Sequence, residues 1–188
     1  MFWVGGNSLK GNRMAAKKRF IALFLCVFLF FPILGRGAER SEYEQYFAEF
    51  CAYFKIVPPN LARAVAMHES KMNPWAIYDN TTKKSYLFKT REEAQLYAEN
   101  AFKEGRSLDH GLMQINSWWL RKFGISPGEA LVPRFNVFLG VGILAHEIER
   151  YGLTWEAVAA YNVGNVSEKH GRAESYAQAV WRLYEKMK

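Results

Sequence analysis

A carboxylic acid held where its charge is disfavoured is the side chain best suited to chemistry here, and Glu69 reads as one. It falls in the last turn of a helix that Asn60 is expected to cap and Asn73-Pro74 to stop. A carboxylate there faces the negative end of the helix dipole. The stripe Leu61, Ala64, Val65, His68 and Met72 is expected to be buried, which leaves Glu69 at its margin, partly desolvated. Both effects raise a glutamate pKa, as a general acid working near neutral pH requires. An ordinary exposed glutamate is the plainer alternative, and position alone does not separate the two.

Two other clusters could complete a site. In Asp109-His-Gly-Leu-Met-Gln-Ile-Asn116, Gly111 lets backbone approach a ligand. Gln114 and Asn116 add amides suited to sugar hydroxyls and N-acetyl groups. The competing reading is a helix start with Leu112 and Ile115 buried and its amides solvated. Ala160-Tyr-Asn-Val-Gly164 sets Tyr161 and Asn162 at a helix end before a flexible turn, where a packed tyrosine and a capping asparagine would serve equally. Metal chemistry has little support. His68, His110, His146 and His170 include no pair at ligand spacing, and His68-Glu69 lacks the second histidine of H-E-x-x-H. No metal or other cofactor is expected.

The elements that must position these residues are mostly helical. Residues 41–55 carry Tyr43, Phe47, Phe50, Cys51 and Phe54 on one face and end before Pro58-Pro59. Thr90-Arg-Glu-Glu93 is a capping box whose helix Gly105 closes, and Ser126-Pro-Gly-Glu129 repeats the signal for a short helix. A longer helix directs Val137, Val141, Leu144, Ala145 and Ile148 inward and stops at Gly152. Thr154 opens another toward Tyr161, and a last helix carries Ala177, Val180, Trp181 and Tyr184. One stretch alone reads as strand: residues 75–78 and 85–88 flank Asp79-Asn-Thr-Thr-Lys-Lys84 in a hairpin. The expected fold is mainly α with a small β-hairpin wing, in one domain.

Charge could mislead. The chain carries 25 basic and 18 acidic residues, a net +7 that suggests nucleic acid or an anionic surface. Yet residues 1–37 hold six basic residues (Lys10, Arg13, Lys17, Lys18, Arg19 and Arg36) and no acidic one. Lys17-Lys18-Arg19 precedes an uncharged run of 15 residues, Phe20–Leu34, short for a membrane span and right for a signal peptide. Residues 1–37 therefore read as a removable export signal, with Met14 the more natural start, and residues 38–188 as the exported domain. An uncleaved inner-membrane anchor is the alternative. Beyond residue 37 the count is 19 basic to 18 acidic, a net +1, and no nucleic acid is expected as a partner. Cys51 is then the one cysteine left, and reads as a small buried hydrophobe.

Taken in order, His68-Glu-Ser70, Gly111-Leu-Met-Gln-Ile-Asn116 and Ala160-Tyr-Asn162 resemble the three motifs of the family 1 lytic transglycosylases, which have a lysozyme-like fold. The resemblance runs from about residue 50 to about residue 184. It is closest to the short forms that accompany secretion and conjugation machines. It implies that Glu69 is the catalytic acid and then base, cleaving peptidoglycan between N-acetylmuramic acid and N-acetylglucosamine to leave a 1,6-anhydro end. It also implies that Ser70, Met113, Gln114, Tyr161 and Asn162 shape the saccharide site. Asn116 and Tyr176 are weaker transfers. Trp118 and Trp119 could stack on sugars, although core packing suits at least one of them.

By the same resemblance the partners are peptidoglycan glycan strands and components of a secretion or conjugation machine. The protein would act as a periplasmic monomer. Two alternatives stand beside this reading. One is a hydrolytic muramidase pairing Glu69 with Asp79, although an Asx-type turn is the better use of Asp79, and a structural hydrogen bond of Asp109. The other is a peptidoglycan-binding scaffold without activity.

Overall fold

A computed structural model of the chain describes residues 39–187, with side chains from Tyr43 onward. The expected export signal lies outside the described residues. Eight helices and four short strands follow one another: α1 (Glu39–Phe54), α2 (Pro59–Ser70), β1 (Ala76–Asp79), β2 (Lys84–Leu87), α3 (Arg91–Lys103), β3 (Leu108–His110), β4 (Ile115–Asn116), α4 (Ser117–Phe123), α5 (Pro127–Ala130), α6 (Pro133–Tyr151), α7 (Trp155–Val163) and α8 (His170–Glu185).

The centre of the bundle is α6, 19 residues long and apolar on nearly every side. Val137, Val141, Leu144, Ala145 and Ile148 are buried as expected, but so are Phe138, Leu139 and Ile143, so the helix is enclosed rather than half-submerged. It is sandwiched between α1 and α7, while α8 packs on α7 and on α2. Phe50 and Phe54 of α1 meet Phe138 at ring-centroid distances of 5.3 and 5.7 Å. Cys51 is buried in this layer, where desolvation pushes its thiol up to about 12 and leaves it unreactive.

The sheet is larger than a single hairpin. Its order is β2-β1-β3-β4, antiparallel throughout, with Tyr78 opposite Asp109 and Asp109 opposite Asn116. The small stripe Ala94, Ala98 and Ala101 of α3 lets that helix lie close over Ile77 and Leu108. The second motif is thus a strand–turn–strand with Leu112 and Ile115 buried, and its last residue, Asn116, leads directly into α4.

Four local expectations need correction. Asn60 does not cap α2: Pro58 holds the cap position, Pro59 starts the helix, and Asn60 donates instead to the Met187 carbonyl at 3.0 Å. The helix ends at Ser70, ahead of Asn73-Pro74, because Lys71 and Met72 both turn left-handed (φ 54° and 64°). His68 is exposed rather than on the buried stripe, and Met72 lies outside the helix. The Thr90 box is half-formed. Thr90 Oγ1 accepts from Glu93 N, but the Glu93 carboxylate reaches back to Lys89 N. At Ser126 both halves are present.

Asp79 is a structural anchor. It is fully buried at the end of β1, and Oδ1 accepts from Thr81 N (2.9 Å) and Thr82 N (3.0 Å). Oδ2 accepts from the Tyr97 hydroxyl at 3.0 Å and from the Arg106 guanidinium. Every lone pair that could face a reaction is already used. Asp79→Asn should leave Arg106 with only the exposed Glu104 as counter-charge and lower stability by about 2–4 kcal/mol. The folded fraction should turn over as wild type does. Thermal melts paired with activity measured well below the melting temperature check both statements.

Candidate active site

Glu69 lies one residue before the end of α2, half-buried, and its Oε1 accepts a 2.6 Å hydrogen bond from the Tyr176 hydroxyl of α8. Its pKa is raised to about 7. Desolvation is the main cause, and the charge of Asp109 adds to it, whereas Tyr176, Arg172 and Asn162 pull it down. Near neutral pH the group therefore holds and releases a proton with comparable ease, which suits one residue acting first as acid and then as base.

Tyr176 is itself fixed, its ring edge-on to His68 at 4.9 Å. Because Tyr176 opposes the desolvation shift, Tyr176→Phe should raise the Glu69 pKa above about 7. Protonated Glu69 would then persist to higher pH. The alkaline limb of the pH–rate profile should move upward, and an unmoved or lowered limb would contradict the assignment.

The second motif is held against α2 and α6 by backbone-directed bonds. Ser70 Oγ donates to Leu112 O at 2.8 Å and to Ala66 O at 3.2 Å, stapling the last turn of α2 to the β3–β4 turn. Gly111 adopts φ +74°, and a Cβ there would come within 2.5 Å of Asn136 Nδ2. Gln114 is left-handed (φ 48°), and its Nε2 donates to Ala76 O (3.1 Å) and Gly111 O (2.9 Å). Met113 is fully buried and packs onto Gly140, where any side chain would collide with its sulfur. The Tyr161 hydroxyl donates to Met113 O at 2.7 Å, joining the third motif to the second. Burial and the charges of Glu69 and Asp109 keep the Tyr161 phenol neutral, with a pKa well above its ordinary value.

Asn136 of α6 ties this turn to the core. Fully buried, it donates from Nδ2 to His110 O and to Ala130 O, both at 2.7 Å, and accepts at Oδ1 from Met113 N at 2.8 Å. The sequence reading overlooked it, although a lone amide in an apolar helix was the available signal.

The eight site residues expected from sequence do not all converge. Glu69, Tyr176, Asn162 and Tyr161 form one electrostatic cluster, together with Asp109 and Arg172. Ser70, Met113 and Gln114 spend the bonds described above on the backbone that holds this cluster in place. Asn116 caps α4 through Trp118 N (2.9 Å) and donates to Asp109 Oδ1 at 2.6 Å. Asn80 donates to the other Asp109 oxygen at 2.8 Å. Burial raises the Asp109 pKa, while these two amides, Arg172 and Lys83 draw it back. Of the two candidate second carboxylates, Asp109 and not Asp79 is the one within electrostatic reach of Glu69. Trp118, whose backbone N–H bonds Asn116, is 56% exposed and meets the Trp119 ring at 4.7 Å, while Trp119 stacks on Phe123. Trp118 is therefore the better placed of the pair to meet a sugar. The four histidines lie apart on α2, β3, α6 and α8.

A mainly helical bundle with a small antiparallel sheet, carrying a desolvated glutamic acid at the end of α2, has the architecture of the lysozyme-like class. Comparison with known proteins agrees. Residues 49–183 match the family described as "Transglycosylase SLT domain". The chain is 35% identical over 136 residues to "Invasion protein IagB" of Salmonella typhi, covering 70% of this chain and 71% of that protein. It is 32% identical over 154 residues to "Protein virB1" of Agrobacterium fabrum, covering 77% of this chain and 61% of that protein. A third relative, "Protein IpgF" of Shigella sonnei, is 30% identical over 172 residues, which are 88% of this chain and 90% of that protein. The chain belongs to the SLT transglycosylase family, and it is a lytic transglycosylase acting on peptidoglycan.

Proposed function

We propose that Glu69 performs both proton transfers of the reaction. Protonated, it gives its proton to the glycosidic oxygen as the bond from the muramoyl C1 breaks, releasing the N-acetylglucosamine hydroxyl. The resulting carboxylate then takes the proton of the muramoyl 6-hydroxyl, whose oxygen bonds to C1 and closes the 1,6-anhydro ring. The nucleophile belongs to the substrate, so one acid/base group is sufficient, in contrast to glycosidases that need two carboxylates. The observation that carries this reading is the raised pKa of Glu69 under a tyrosine hydrogen bond, in the first of three ordered motifs.

Asp109 has a supporting role. Positive charge develops at C1 in such a reaction, and a carboxylate held by Asn80 and Asn116 near Glu69 stabilises it electrostatically. Asp109→Asn should lower kcat by about 10–100-fold, with KM little changed. Unchanged kcat would reduce Asp109 to a structural bond. If Asp109 bonded covalently to C1 instead, water would end the reaction and reducing ends would appear.

Residues 1–37 act as an export signal that delivers the domain from residue 38 on to the periplasm, where a monomer opens the wall locally for a secretion or conjugation apparatus. Support comes from the sequence pattern and from a relative named as an invasion protein. No described helix is long and apolar enough to cross a membrane. Periplasmic fractionation of the tagged full chain, with the N-terminus of the mature form sequenced, tests the first part. A tag confined to the inner-membrane fraction would favour the anchor.

A further inference from the structure

Arg172 was absent from the sequence reading, and the three motifs make no use of it. It lies in the first turn of α8, exposed, four residues before Tyr176 and so on the same helical face as the tyrosine that bonds Glu69. Its Nε donates to Asn162 Oδ1 at 3.2 Å. Its charge is felt by both Glu69 and Asp109, yet among the described residues it pairs with neither carboxylate. A neutral amide thus orients the guanidinium through Nε, and the edge bearing the two Nη nitrogens has no partner among the described residues. That edge presents two parallel N–H donors in the fork that fits a carboxylate.

The substrate supplies such a group. The muramoyl residue at the cleaved bond carries, through its lactyl arm, a stem peptide with free carboxylates, and that residue sits against Glu69 during the reaction. We propose that Arg172 binds a carboxylate of this stem peptide, so that the protein selects glycan that still bears peptides over glycan stripped of them. The proposal rests on Glu69 being the group at the cleaved bond, as argued above.

The test compares two polymers, soluble glycan strands with intact stem peptides and the same strands stripped by an amidase. Wild-type protein should favour the peptide-bearing strands by about three- to tenfold in kcat/KM. Arg172→Gln should remove that preference by raising KM on peptide-bearing strands beyond whatever change it makes on stripped strands through its charge near Glu69, and Arg172→Lys should keep part of it. Equal loss on both polymers would overturn the proposal, because it would mean that Arg172 acts only through its charge on Glu69 or through the fold. A preference that survives in Arg172→Gln, or none in wild type, would overturn it as well. Wild-type protein that cleaves neither polymer would instead refute the assignment of Glu69, and this proposal with it.

Discussion

Glu69→Gln protein should fold as wild type does and lose about 10³-fold or more in kcat on peptidoglycan. A positioned general acid/base contributes about 10²–10⁴-fold, and here one group serves both proton transfers, so the loss belongs at the upper end. Glutamine keeps the shape and can still accept from the Tyr176 hydroxyl, so packing between α2 and α8 survives. The pH dependence of stability supplies a second readout. Glu69 has a folded-state pKa of about 7 against an ordinary value of 4.5, so the folded state binds more protons between these two pH values. Its stabilising contribution is complete below about pH 4.5 and disappears as pH rises through about 7. Wild type should therefore lose stability relative to Glu69→Gln across that window. A variant with near-wild-type turnover, or parallel stability curves, would remove Glu69 from the centre of the site.

The second large effect concerns stability and lies away from the chemistry. Asn136→Ala would leave Met113 N, His110 O and Ala130 O without their partners in a fully buried place. Each orphaned buried group costs about 1–3 kcal/mol, and relaxation recovers part of the sum, so a loss of about 3–5 kcal/mol is expected. For a domain of this size that lowers the melting temperature by roughly 6–20 °C. Below the melt, kcat should also fall, because the turn from Gly111 to Gln114 loses its tie to α6. Denaturant titration gives the stability, and activity under folding conditions gives the second effect. A loss under 1 kcal/mol would mean that Ser70, Gln114 and Tyr161 hold the turn without Asn136.

Much of this was legible in the sequence, and the failures have physical causes. The apolar stripe of α1, the full capping box at Ser126 and the stop at Gly152 are local signals, and they stand in the structure where the sequence places them. The start of α2 was misread because Asn60 is a good cap by residue type, while Pro59 has a fixed φ that suits the first helical position better. Strands β3 and β4 were missed because they are three and two residues long, too short for alternation to show. Their existence depends on pairing with β1, a non-local fact. His68 appeared buried because helical spacing put it beside Leu61 and Val65, but α2 ends two residues later and leaves it on the surface.

The site divides in the same way. Glu69, Tyr161 and Asn162 could be found because their order along the chain resembles a family, and Tyr176 because of its segment. What makes them a site is three-dimensional: the hydroxyl of Tyr176 on Glu69, the two amides on Asp109 and the three bonds of Asn136. Asp79 shows the limit of reading carboxylates one at a time. It and Asp109 lie on neighbouring strands, yet one is saturated by turn amides and Arg106 while the other keeps electrostatic contact with Glu69.

The central claim is that one carboxyl group, Glu69, cleaves glycan by passing the substrate's own hydroxyl onto C1. Digestion of purified sacculi with the wild-type protein, followed by mass spectrometry of the released muropeptides, tests it most directly. The account predicts 1,6-anhydro-muramoyl ends, about 18 Da lighter than hydrolysed ones because no water is added. Release of reducing muramoyl ends in their place would contradict it.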